Sequence, residues 1–429
     1  MKFLSILCLL ALLSIPGNGQ ALTLSEGLKT VVDSGRDVTI ARSYEDAARS
    51  SVSLARSPWL PSIDVYGRQT WLHYEPQAKT PFGPFPSSQD NFITYGVKAT
   101  QILYDFGRTS STINAAKYGL ASREIETGRT RNLSALEFIT TFLDLLEADK
   151  LLLVAREEVR RYEAHKKDTE SRFNAGIVTK NEVLQVAVTL ADSRQRSLTA
   201  DNLRAIRASK INSLLMKPLN DQVQAEEITE SPATGITLDE AWAAAEAGNA
   251  ELKDLDARIS AREEQVRTVR AEYLPTVYLS GGYEYSENRY VVHEDNWLVI
   301  AGVTLNLFSG GASSSRLQMA RSEVRSLKLT REKMLDSVRL QVQSACLELQ
   351  STVQRVEVAK TAVEQAQENL RLQRLRYREG EGTATDVLDA VSLLSTAESN
   401  SWKALYGLKR AEANLLYGMG RDLAAMYVR

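Results

Sequence analysis

The sequence predicts an α+β membrane protein in which short strands and very long helices alternate in an internal two-fold repeat. Three observations carry that reading. The chain repeats its own landmarks about halfway along. Two proline-free stretches keep a seven-residue apolar period well beyond the length of a globular helix. Four segments of about ten residues alternate apolar and polar side chains, the pattern of a membrane strand.

The first element is an export signal. Lys2 supplies the positive start, Phe3–Ile15 an apolar core and Pro16–Gln20 a break before Ala21, so residues 1–21 are expected to be removed. The core is too short to span a bilayer as a helix; a buried N-terminal helix is the plainer alternative. Cys8 follows Leu7 and not a small residue, which argues against lipidation. Once the signal is gone Cys346 is the one cysteine left, which excludes an internal disulfide and a cysteine metal cluster. With 52 basic against 54 acidic residues there is no basic field for nucleic acid. No later stretch is apolar for long enough to be a membrane helix, so entry into a bilayer demands a closed barrel.

The repeat pairs Thr23-Leu24-Ser25-Glu26 with Thr237-Leu238-Asp239-Glu240, and Trp59-Leu60-Pro61 with Tyr273-Leu274-Pro275 at the same offset. Leu103-Tyr104-Asp105-Phe106-Gly107 pairs with Leu307-Phe308-Ser309-Gly310-Gly311, and Arg172–Gly176 with Arg376–Gly380, at a slightly smaller one. The offset changes once, between the first strand and the long helix, as expected of rigid rods joined by a variable surface loop. The expected organisation is a first unit over residues 22–217, a linker over 218–235 carrying Pro218, Pro232 and Gly235, a second unit over 236–420 and a tail over 421–429.

Each unit opens with a helix, Ser25–Arg56 or Asp239–Glu272, and ends with another, over 180–215 or 385–416. Between them lie long helices over 108–175 and 312–379, rich in Leu, Ala, Val and charge, each roughly 100 Å long at the helical rise. Leu335, Val342, Leu349, Val356, Val363, Leu370 and Tyr377 recur every seven residues; Ala345, Ala359 and Ala366 form a second row of small residues. The partner row is Phe138, Leu145, Leu152, Val159 and Phe173, interrupted by Lys166. A strict heptad implies a left-handed supercoil. The shorter helices are about half as long, so two stacked end to end match one long rod. Helices alone fit a coiled-coil tether equally well.

The strand pairs are 62–74 with 92–103 and 276–285 with 297–307. Ile63, Val65 and Trp71 share a face opposite Asp64 and Arg68; Ile93, Tyr95, Val97 and Ala99 oppose Lys98. Val277, Leu279, Tyr283 and Tyr285 oppose Glu284; Val299, Ala301, Val303, Leu305 and Leu307 oppose Thr304 and Asn306. A basic side chain facing lipid near the midplane would cost about 2–4 kcal/mol, so the polar faces point inward. Tyr and Trp near the strand ends fit an aromatic girdle. A soluble sheet packed on one face is the alternative. Four strands close no useful barrel, whereas three copies supply twelve. The loops Glu75–Asp90, with four prolines, and Ser286–Asn296 would then be extracellular.

The duplicated Leu-Pro before a strand, the aromatic-x-x-Gly turns at Phe173–Gly176 and Tyr377–Gly380, and the run Asp386-Val387-Leu388-Asp389-Ala390 together resemble the TolC-like outer membrane efflux protein family over essentially the whole mature chain. The resemblance implies a trimeric 12-stranded β-barrel, four strands per protomer, continuous with a long α-helical coiled-coil barrel. It implies the outer membrane of a Gram-negative bacterium, with a periplasmic extension. The expected function is the exit duct of a tripartite efflux or type I secretion system. The expected partners are two further copies of the chain, a periplasmic membrane-fusion adaptor, an inner-membrane pump or ABC exporter, and outer-membrane lipid. A periplasmic tethering protein remains the alternative.

The resemblance also assigns residues. Gly176 and Gly380 follow the long helices, where glycine tolerates a left-handed helix end; the family reading makes these tips adaptor docking points. Asp386 and Asp389 lie one turn apart and match a narrow periplasmic entrance, where three copies would form two carboxylate rings attractive to cations. Helix-start chemistry alone is the plainer reading of Asp386. Tyr377 and Glu182 match positions that tie neighbouring hairpins closed, but the arginine of that latch falls on Gly382, leaving the charged latch incomplete. His73, His165 and His293 stand apart, no nucleotide-binding or nucleophile motif occurs, and neither a cofactor nor enzymatic activity is expected. The cargo is not written in the sequence.

Overall fold

The computed structural model describes residues 21–228 and 235–427. The expected signal therefore lies outside the described residues except for Ala21, as does part of the linker. The elements in order are α1 (Leu24–Ser34), α2 (Arg36–Arg56), β1 (Ser62–Trp71), β2 (Gln77–Thr80), β3 (Gly83–Pro86), β4 (Asn91–Tyr104), α3 (Arg108–Asn174) and α4 (Lys180–Leu214). Then follow α5 (Leu238–Gly248), α6 (Ala250–Ala271), β5 (Thr276–Ser286), β6 (Asp295–Thr304), α7 (Ala312–Glu379), α8 (Ala384–Gly418) and α9 (Leu423–Tyr427). One order of elements thus occurs twice. The rods agree closely in length: 67 and 68 residues for α3 and α7, and 35 for both α4 and α8.

The structure differs from the sequence expectation at several points, and β1 already ends at Trp71 where the expected strand ran to residue 74. Each opening helix is broken in two. At Gly35 the chain turns extended while its N–H still bonds Val31 O at 3.0 Å; a Cβ there would lie 2.3 Å from that carbonyl, so only glycine fits. At Asn249 the side chain restarts the helix by accepting from Leu252 N at 3.0 Å. The expected Glu75–Asp90 loop holds the hairpin β2–β3. Strand β6 begins and ends earlier than expected, so Leu305 and Leu307 lie beyond it and are exposed. The tail carries α9.

The predicted seam of α7 is turned inward: Val342, Leu370 and Tyr377 are buried, Leu335, Leu349, Val356 and Val363 half-buried, with Ala359 and Ala366 buried beside them. On α3, Phe138, Leu145 and Leu152 are buried, but Phe173 is exposed. Around Lys166, which interrupts the row, the buried face runs through Tyr162, His165 and Thr169.

β1, β4, β5 and β6 form one antiparallel sheet in that order, and each strand continues into or out of a rod. The helices nearest the sheet keep the same sequence of neighbours, α2–α3–α6–α7; farther down, the order is α4–α3–α8–α7. The protomer is therefore a ribbon whose margins coincide at every level: β1, α2 and α4 on one side, β6 and α7 on the other. At its waist a core of Leu28, Phe138, Ile139, Phe142, Ile211 and Leu416 joins α1, α3, α4 and α8. The linker is fastened there too, through Leu22 N to Gln224 O at 2.7 Å and Glu226 N to Leu22 O at 3.0 Å. A second core, with Tyr162, Val186, Leu370, Tyr377, Val387 and Val391, lies at the hairpin tips.

Candidate functional site

Two regions bear on function, the sheet and the hairpin tips. Among the described residues no helix is long and apolar enough to cross a membrane. The sheet offers a different solution. Cross-strand register places Ile63 beside Ala99, Val65 beside Val97, Val97 beside Tyr283, Leu279 beside Ala301 and Tyr283 beside Trp297, giving one continuous apolar face. That face is uncovered: Val65 is 79% exposed, and Trp297 and Val299 77% each. Leaving an aliphatic side chain of this size in water forgoes about 1.5–3 kcal/mol, and lipid is the solvent that recovers it. The opposite face carries Asp64 directly across from Lys98, and Tyr66 donates to Glu284 Oε2 at 2.6 Å.

Aromatic side chains collect at both ends of the sheet. Toward the loops, Tyr95 stacks on Tyr285 at 4.8 Å and Tyr283 meets Trp297 at 5.3 Å. Toward the helices, Trp59, Tyr104, Phe106, Tyr273 and Phe308 are exposed. Strands of about ten residues, tilted about 40°, separate such bands by roughly 25 Å, the height of a barrel's apolar belt.

At the tips, Gly176 and Gly380 have φ of +74° and +83°, and a Cβ on either would meet nothing within 4 Å. Their requirement for glycine is thus conformational. Gly176 N bonds Phe173 O at 2.9 Å and Ile177 N bonds Arg172 O at 2.9 Å; Glu381 N and Gly382 N both bond Arg376 O. These bonds satisfy the last carbonyls of the long helices.

Asp386 sits in the capping box of α8. Its Oδ2 accepts from the Thr383 N–H and hydroxyl, both at 2.8 Å, and its own N–H donates to Thr383 Oγ1 at 3.2 Å. The backbone and then the hydroxyl bond from Thr383 hold its carboxyl below the usual range. Asp389 is exposed one turn on. Glu182 caps α4 in the same manner, accepting from Thr179 N at 3.4 Å.

Tyr377 is 3% exposed and donates to Thr169 Oγ1 on α3 at 3.2 Å, with the Arg172 guanidinium 4.8 Å from its ring. The structure brings Tyr377 to Thr169 and leaves Glu182 in its own cap. Sequence reasoning missed this contact, together with Tyr162 and His165. Tyr162 donates to Leu388 O at 3.3 Å, and His165 Nε2 lies 3.2 Å from Ala384 O. The available signal was the heptad break at Lys166, which forces the seam onto those neighbours. Higher up, Arg161 forms a two-pronged pair with Glu398 at 2.8 and 2.9 Å. Thus α3 grips the α7–α8 hairpin at successive levels.

The family model for outer membrane efflux protein matches residues 29–215 and 242–421. Outer membrane protein TolC of Escherichia coli (strain K12) is 23% identical over 454 residues, spanning 99% of this chain and 88% of that protein. Nodulation protein T of Rhizobium leguminosarum bv. trifolii is 22% identical over 404 residues, spanning 91% and 84%. The crystal structure of the outer membrane protein VceC from Vibrio cholerae shares the fold with a TM-score of 0.81 at 17% identity, covering 93% of this chain and 96% of that one. Ribbon, uncovered apolar sheet face and family match agree: the chain belongs to the outer membrane efflux protein family, a family of outer-membrane channels.

Proposed function

We propose that three copies close into one duct, each supplying four of twelve strands, and that the duct passively conducts cargo out through the outer membrane. The observation that carries this reading is the coincidence of open margins. Among the described residues, β1 and β6 each leave one row of backbone groups without a strand partner, on the same two sides where α2 with α4 and α7 end the helical layer. Unpaired backbone in lipid is prohibitive, so the margins must meet. The helical margins carry exposed apolar residues suited to joining, Leu340, Leu347 and Val358 on one side and Ile40, Val188 and Leu198 on the other. An eight-stranded dimer would fill its interior with side chains; twelve strands leave a lumen lined by the Asp64, Lys98 and Glu284 face.

The two tips are proposed to meet a periplasmic membrane-fusion adaptor, and an inner-membrane pump or ABC exporter supplies the energy. Gly176 and Gly380 set the shape of the docking turns. Three copies of Asp386 and Asp389 form the acidic entrance, and Tyr377 and Glu182 contribute to its closure; the Tyr377–Thr169 bond supports the first of these gating roles. Outer-membrane fractionation, heat-modifiable migration of the trimer and conductance in planar bilayers test the reading together. A water-soluble monomer that forms no pores would overturn it. The tethering alternative leaves the uncovered apolar sheet face without a purpose.

A further inference from the structure

His165 is 6% exposed, near the lower end of α3, in the junction where α3 meets α7 and α8. Its ring stands edge-on to Tyr377 at 5.1 Å. The carbonyl of Ala384 can only accept, so Nε2 carries the proton of the neutral ring and donates it at 3.2 Å. Nδ1 has no hydrogen-bond partner among the described residues.

Charged groups face this ring from each element around it. Asp168 lies on α3 itself, Glu182 on α4 and Arg374 on α7; α8 offers the Ala384 carbonyl, while its Asp386 is engaged by Thr383. Arg374 has no carboxylate within ion-pair distance among the described residues, and the charges of Arg161 and Arg378 act against its own. We propose that His165 is a proton-operated fastener: neutral, it ties α3 to the first turn of α8; protonated, it loosens the α7–α8 hairpin and opens the entrance.

Differential solvation of the ring drives the switch. A second proton would put a buried charge beside the unpaired Arg374 and a new donor on Nδ1 with no protein acceptor. Burial lowers the pKa; the Ala384 carbonyl, Asp168 and Glu182 raise it, Arg374 lowers it, and the net direction is down. In the parted hairpin the ring meets water and regains the ordinary value of about 6.5. Protons therefore bind the parted state preferentially. The fastened state keeps its full advantage above that ordinary value and loses it as pH falls toward the lowered one; below the lowered value nothing further changes. Each unit of separation between the two values shifts the open-to-closed ratio up to about tenfold per protomer.

This inference rests on the duct reading, and the test separates the two. The chain has three histidines, so histidine-selective NMR of the detergent-solubilised protein, assigned with His165→Gln, follows His165 against His73 and His293. His165 is expected to titrate below the ordinary histidine value. In planar bilayers, open probability should rise as pH falls from neutral through the ordinary histidine value, His165→Gln should be flat across that range while staying closed at neutral pH, and Arg374→Gln should move the midpoint to higher pH. Titration of His165 at the ordinary value, or a wild-type pH profile in His165→Gln, would overturn the proposal. A protein that forms no channel at any pH overturns the duct reading, and the NMR titration then still decides whether the fastener exists.

Discussion

Val299 and Ile300 are adjacent residues near the middle of β6 that point to opposite faces of the sheet. Val299 lies on the apolar face beside Gly281, while Ile300 pairs with Ser280 on the face that carries Lys98 and Glu284. Lysine at 299 would project into lipid near mid-depth, at a cost of about 2–4 kcal/mol per protomer. That corresponds to roughly a 30- to 700-fold change in the folding equilibrium of one copy. In the proposed trimer the total would be about 6–12 kcal/mol. Lysine at 300 would project from the polar face into the lumen of the proposed duct, where its charge stays hydrated. The assay is urea unfolding in lipid vesicles, with trimer melting on unheated gels as a second readout. The expected result is strong loss for Val299→Lys and near-native stability for Ile300→Lys. Equal stability of the two variants, or the reverse order, would refute the assignment of the apolar face to lipid.

Three further outcomes are expected. Gly35→Ala places a methyl against Val31 O and should destabilise the α1–α2 break by about 1–3 kcal/mol through overpacking, visible as a lower melting temperature with the barrel unchanged. Asp386→Ala with Asp389→Ala should weaken block of the single-channel current by divalent or trivalent cations. Because the cap holds the Asp386 carboxyl below its usual range, the wild-type block should persist as pH falls through the ordinary aspartate value and fade only below it; loss of block above that value would contradict the ring. Gly380→Trp, at a φ of +83° with open space around the missing Cβ, should abolish export in cells while trimers still reach the outer membrane, and normal export would count against docking at that turn.

Much of the architecture was legible because its determinants are periodic. The seven-residue row from Leu335 to Tyr377 marks a rod whatever lies beside it, and strict alternation from Val277 to Tyr285 marks a strand with two unlike faces. Helix-start chemistry at Asp386 was legible as well, but its partner Thr383 came only from the structure. Features set by a single close approach were not. The break at Gly35 depends on where one carbonyl points, and the exit of Phe173 from the seam depends on how α3 rolls against α8 after Lys166.

The sequence by itself therefore determined the rods, the strand pairs and the order in which they recur. Only the tertiary structure decided which side chains fasten the tips. Tyr377 meets Thr169, and His165 meets Ala384, across more than two hundred residues of chain. The physical reason is range: solvent preference repeats along the backbone and can be read locally, whereas a hydrogen bond between rods needs the relative rotation of both.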